Sequence, residues 1–188
     1  LLGADSSTVA YLKSKPLSPW SIMALSAAGE SPSLDSLKTV SAEKAIDLEA
    51  PILALTASGK DPRLFGSADL VAKLQSFYDK TQLGDATILN DDIFGLLALI
   101  ASGEKQNSAT VVGIKNFIIS KQNGDGGFSF AVGGTSDTNT TAAAIMALRS
   151  ASVSSSDSAL AKAVGYLQSA QNSDGGFPYD PKSSWGTG

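Results

Sequence analysis

Two segments of this chain are close copies of one another. Phe117-Ile118-Ile119-Ser120-Lys121-Gln122-Asn123-Gly124-Asp125-Gly126-Gly127-Phe128 is followed 49 residues later by Tyr166-Leu167-Gln168-Ser169-Ala170-Gln171-Asn172-Ser173-Asp174-Gly175-Gly176-Phe177. A repeat of that period means that one supersecondary unit is stacked several times and cannot bury its apolar face alone. A second anchor supports the period. The runs Met23-Ala24-Leu25, Leu53-Ala54-Leu55, Leu97-Ala98-Leu99 and Met146-Ala147-Leu148 are spaced by 30, 44 and 49 residues, so the first unit is irregular.

Each unit reads as two helices. Leu160, Ala163, Val164 and Leu167 form one apolar stripe at helical period, as do Ile93, Leu96, Leu97 and Ile100. Gly29, Gly59 and Gly103 follow apolar runs, where a left-handed C-terminal position favours glycine. Ser31-Pro32 and Asp61-Pro62 stop any continuation. Ser67, Asp91 and Ser158 precede apolar runs as expected N-caps. Alternating strand patterns are almost lacking. The expected fold class is all-α, one repeat array over residues 1–188.

Composition narrows the chemistry. With 188 residues, 43% of them hydrophobic, the chain can bury a core. A net charge of −4 without a basic cluster argues against a nucleic-acid surface. The longest apolar run, Ile93 to Ala101, is too short to span a bilayer. Leu1 opens the chain without a start Met or a basic leader, so a piece of a larger protein is expected. There is no His and no Cys. That removes the usual catalytic zinc ligands, the Ser–His–Asp triad and the Cys–His pair. No metal and no cofactor is expected.

The repeated Gln122-x-x-Asp125-Gly126-Gly127-Phe128 and Gln171-x-x-Asp174-Gly175-Gly176-Phe177 resemble the glutamine–tryptophan repeats of squalene and terpene cyclases. They are also similar to the repeat of protein prenyltransferase β subunits, with Phe where the cyclase repeat usually has Trp. The whole chain is similar to bacterial surface proteins carrying this repeat, and more distantly to the toroid domain of transcobalamin and intrinsic factor. Ser18-Pro19-Trp20-Ser21-Ile22-Met23-Ala24-Leu25 and Asn90-Asp91-Asp92-Ile93-Phe94-Gly95 carry that part of the likeness. The resemblance implies an α/α toroid. About four helix pairs are present where the family ring has about six, so an open arc, or a ring closed by a second copy, is expected. A fold does not imply an activity.

The repeat also has a physical reading of its own. Gln122 and Gln171 end a helix, where an amide can bond the unpaired terminal carbonyls. Asp125 and Asp174 accept backbone N–H groups in a tight turn, and the paired glycines supply positive φ. Phe128 and Phe177 are expected to bury their rings between units. The loops Asn123-Gly124-Asp125 and Asn172-Ser173-Asp174 lack the acidic series and closing Glu of an EF-hand. The glycines from Gly124 to Gly134 match no phosphate loop, and Asn139-Thr140-Thr141 is a glycosylation sequon by pattern only. Trp20, Tyr78, Tyr166 and Trp185 read as packing residues.

The catalytic motifs implied by the resemblance are broken. The cyclase Asp-x-Asp-Asp-Thr-Ala frame falls on Asp137-Thr138-Asn139-Thr140-Thr141-Ala142, with Asn139 in place of the proton donor. An amide cannot serve as a general acid. Asp91-Asp92 begins the equivalent helix, and a class-I Asp-Asp-x-x-Asp site would need Asp where Gly95 stands. Prenyltransferase zinc ligands and a complement-type thioester need Cys or His. Asp91, Asp92 and Asp137 read either as helix-start residues or, with Asn139, as polar groups along one rim that meet a ligand.

The expected function is therefore a non-catalytic module of an extracellular or cell-surface protein, binding an unknown small molecule, glycan or protein. Two alternatives stay open. One is a terpene cyclase or prenyltransferase whose catalytic residues lie in sequence outside this segment. The other is a purely structural spacer.

Overall fold

The computed structural model describes residues 6–181 and, within them, eight α-helices. These are α1 (Ser6–Lys13), α2 (Pro19–Ala27), α3 (Ile46–Ala57), α4 (Leu70–Gln75), α5 (Leu89–Ala101), α6 (Ala109–Ser120), α7 (Thr138–Ser150) and α8 (Ser158–Ala170). The described residues contain no strand, only the isolated bridges Tyr78–Leu83, Ile88–Ala131 and Phe128–Asp137. Ser183 to Gly188, including Trp185, lie outside the described residues.

Helices α2, α3, α5 and α7 pack on one another in a row, and α1, α4, α6 and α8 each back one of them. Apolar residues on three sides of each inner helix reflect that double role. Leu89, Ile93, Leu96 and Leu99 of α5 are fully buried, and Leu97 and Ile100 only partly. On the outer helix α8 the buried set is Ala159, Leu160, Ala163, Tyr166 and Ala170. Val164, expected in that stripe, instead faces solvent, because the packed face is rotated toward Tyr166. Among the described residues no extensive packing joins α7 back to α2.

The irregular first unit has a local cause. Between α2 and α3 the outer helix is reduced to a single 3-10 turn, Asp35–Leu37, whose Leu37 is buried. Ser33, Ser36, Thr39 and Ser41, residues that favour turns and caps over helix interiors, punctuate the segment around that turn.

The inner helices all end alike. The backbone N–H groups of Glu30, Lys60, Glu104 and Val153 reach back to the carbonyls of Leu25, Leu55, Leu99 and Leu148. This closing turn places Gly29, Gly59 and Gly103 at φ between 70° and 84°. In α7 the same place is held by Ser152, at φ 61°.

Helix starts differ from expectation by small steps. Asp69 caps α4 and Asp157 caps α8, each with a side-chain oxygen accepting a backbone N–H two or three residues on. Ser67 therefore precedes the cap, and Ser158 lies inside the helix. Asp91 is no cap either: it sits in the first turn of α5, whose N-cap position is Ile88. Asp137 does cap α7, accepting from Thr140 N–H at 2.7 Å.

Candidate functional site

The repeated Gln-x-x-Asp-Gly-Gly-Phe segments are joints. In both, the Asp side chain accepts the N–H of the second glycine, from Gly127 to Asp125 at 3.0 Å and from Gly176 to Asp174 at 2.9 Å. In both, the Gln amide donates to the first glycine's carbonyl, at 2.9 Å. Gln122 also donates to Ala159 O at 2.7 Å, so it ties its own turn to the next outer helix rather than capping its own helix. Only the first glycine of each pair, Gly126 or Gly175, has the positive φ that was expected of both. Gly127 is required for space: a Cβ there would come within 2.5 Å of Ser136 Cβ and 3.0 Å of the Tyr166 ring.

Phe128 is fully buried, as expected, but Phe177 is 46% exposed. The next inner helix makes the difference. Phe128 N–H donates to Thr141 Oγ1 at 2.9 Å, and its carbonyl accepts from Asp137 N–H, so the start of α7 covers it. Among the described residues no helix comes after α8 to do this for Phe177.

The start of α5 holds a cluster of buried acids. Asp92 Oδ1 accepts Leu83 N–H at 2.8 Å, and Asp91 Oδ2 accepts Asp85 N–H at 3.1 Å, so both aspartates anchor the loop that leads into their own helix. Glu49 of α3 faces them across the helix interface, beside Gly95, whose missing Cβ leaves room for the Leu83 side chain: a Cβ there would run into Leu83 Cδ2. All three acids are at most 3% exposed. Glu49 Oε1, Gln82 Oε1, Asp91 Oδ1 and Asp92 Oδ2 have no hydrogen-bond partner. Burial pushes Glu49 up to about 9, with Asp91, Asp92 and Asp47 adding repulsion. Burial also pushes Asp92 up to about 7 and raises Asp91; the Leu83 N–H bond and Lys121 hold Asp92 back. Protonation of Glu49, and in part of Asp92, supplies donors to a cluster of acids that otherwise only accept.

Asp137 is buried under its cap, and Asn139 is exposed in the first turn of α7. Loop 128–132 touches both helix starts: Phe128 pairs with Asp137, while Phe130 O accepts Asn90 N–H and Ala131 pairs with Ile88. Of the four rim residues, Asn139 alone shows its side chain to solvent. Among the described residues no group of three or more His, Cys, Asp or Glu is placed to hold a metal ion. No described helix is long and apolar enough to cross a membrane.

Outer helices cover one side of the inner row, leaving an open stripe on the other. Trp20 of α2, Leu53 of α3, Phe94 and Leu97 of α5, and Asn139 and Met146 of α7 lie wholly or partly exposed. The Trp20 and Phe94 rings meet edge to face, with centroids 5.7 Å apart. They come from helices that flank α3 on either side, so the row curves toward its open, apolar side. Sequence reasoning missed two parts of this arrangement. Glu49 was legible only as a lone acid in the apolar run Leu48 to Leu55, and Trp20 as one half of an aromatic pair was not legible at all.

Paired helices in a curved double layer, joined by a repeated Gln-x-x-Asp-Gly-Gly-Phe turn, define an α/α toroid. The family model for the prenyltransferase alpha-alpha toroid domain matches residues 17–184, and the chain belongs to that family. No curated protein matches the chain significantly.

Proposed function

We propose that this chain is a non-catalytic binding module that takes an apolar or aromatic ligand group against its concave face. Exposed Asn139 at the start of α7 frames this face, while Asp91, Asp92 and Asp137 are buried at the helix starts. The observation that carries the reading is the Trp20–Phe94 ring pair. An exposed aromatic pair on a concave apolar stripe offers a large contact area at little cost in conformational entropy. The resemblance to surface proteins carrying this repeat supports an extracytoplasmic setting.

The enzyme alternative is weaker on chemistry. Asn139 stands where a cyclase places its acid, and Gly95 where a class-I site places its third Asp. Glu49, raised to about 9, is held protonated at neutral pH, as a proton donor must be, and Asp92, at about 7, is partly so. Both are sealed from solvent, however, so neither can touch a substrate alkene.

The neutral fluorophore N-phenyl-1-naphthylamine tests the reading. Saturable binding is expected, weakened about tenfold or more by Trp20→Ala with Phe94→Ala. Unchanged binding by that double variant, or conversion of squalene or geranylgeranyl diphosphate by the wild-type protein, would overturn it.

A further inference from the structure

A groove at the starts of α3 and α5 lies apart from the stripe containing Trp20, Leu53, Leu97 and Met146. It has a volume of about 410 Å³, and its walls include Glu43, Ile46, Phe77, Asp85, Ile88 and Asp91. Lys44 also lines it, so the exposed carboxylates of Glu43 and Asp85 outnumber its one ammonium, while burial raises the third acid, Asp91. The walls between those charges are hydrocarbon: Ile46 is 42% exposed, and Phe77 and Ile88 are partly so.

Asp91 is the unusual member. It is 3% exposed, yet it forms part of the groove wall. Its Oδ2 takes the Asp85 N–H at 3.1 Å, while its Oδ1 takes no bond. A buried carboxylate oxygen without a donor is costly; Oδ1 is closed to solvent, so a donor entering from the groove reaches it only as the wall gives way. An acidic wall with an apolar body calls for a cationic head on a hydrocarbon tail. The Lys73 ammonium already stands over the Phe77 ring, 5.1 Å from its centroid, which assigns that ring to the tail rather than the head.

We propose that this groove binds a small cationic amphiphile. Its primary ammonium group donates to Asp91 between Asp85 and Glu43, and its hydrocarbon lies on Ile46, Phe77 and Ile88. This site is separate from the concave face and does not depend on what that face binds.

The test uses n-hexylamine as probe, with hexan-1-ol and hexanoate as controls of equal tail length. Backbone amide shifts of residues 43–46, 77 and 84–91 are followed by NMR at neutral pH. Saturable shifts are expected with hexylamine, with binding at least about tenfold weaker for both controls. Asp91→Asn keeps an acceptor for Asp85 N–H but loses the charge, and should weaken hexylamine binding about tenfold. If that variant does not fold, Glu43→Lys on the exposed loop reverses a charge at the groove mouth and should weaken binding in the same sense. Trp20→Ala with Phe94→Ala should leave hexylamine binding unchanged, which keeps this site distinct from the concave face. Absence of shifts at these residues at millimolar hexylamine would overturn the proposal. So would equal binding of hexan-1-ol, or wild-type affinity in both charge variants.

Discussion

Asp92 and Thr141, 49 residues apart, hold the same place in consecutive inner helices and do the same thing with different chemistry. Asp92 accepts Leu83 N–H at 2.8 Å, and Thr141 accepts Phe128 N–H at 2.9 Å. Each fixes the residue that plugs the core between two units, and Leu83 and Phe128 are both fully buried. Thr141→Val keeps the shape and removes the acceptor. It should cost about 1–3 kcal/mol in urea unfolding, the usual penalty for a buried N–H left without a partner. A loss below a few tenths would mean that Phe128 N–H finds another acceptor.

The acid at position 92 brings a pH dependence that Thr141 does not. Glu49 rises from an ordinary value of 4.5 to about 9, and Asp92 from 3.8 to about 7, mainly through burial. In both cases the folded state holds the proton more tightly than the unfolded state. The stabilisation is complete below the unfolded values and is lost as pH rises, through about 7 for Asp92 and about 9 for Glu49. Denaturant midpoints should therefore fall steadily between mildly acidic and alkaline pH. Glu49→Gln should flatten the upper part of that fall. A stability maximum on the alkaline side would contradict the assignment.

Ser152 is the one inner-helix terminus where a side chain occupies the left-handed position that Gly29, Gly59 and Gly103 hold elsewhere. Its hydroxyl donates to Gln106 Oε1 at 2.6 Å, but on an exposed surface. Relief of backbone strain should outweigh that bond, so Ser152→Gly should stabilise the protein by about 0.5–1 kcal/mol. Thermal unfolding is the check, with an upward shift of about 1–4 °C. A downward shift would mean that the Gln106 contact matters more than the strain.

How far this fold and site could be read beforehand depended on the range of the interactions. The turn around Asp125 and Gly126 was legible because its bonds close within five residues and recur at Asp174 and Gly175. The C-terminal glycines were legible for the same reason. Caps were misplaced where two cap-forming residues adjoin, as Asp157 and Ser158 do, since the pattern cannot say which one leaves the helix. The loss of an outer helix around Asp35 showed only as an irregular spacing. The acid cluster was half legible: Asp91 and Asp92 are adjacent in sequence, but Glu49 joins them only through the packing of α3 on α5. The second glycine of each pair was assigned positive φ because local turn rules offer only that reason for a glycine, whereas Gly127 is needed for space beside Ser136 and Tyr166, which lie beyond the turn.

Phe128 and Phe177 measure that range most directly, because they share one local sequence and differ in their neighbours. The ring of Phe128 lies under the start of α7, and that of Phe177 is 46% exposed. Phe128→Ala should cost about 3–5 kcal/mol, the range for deleting a buried aromatic ring. Phe177→Ala should cost less than about 1 kcal/mol, as for other surface positions. The two single variants, unfolded in urea under one condition, give the comparison. Equal losses would mean that Phe177 is covered in solution by another helix. A small loss at both positions would mean instead that the turn is held by Gln122 and Asp125 without help from the ring.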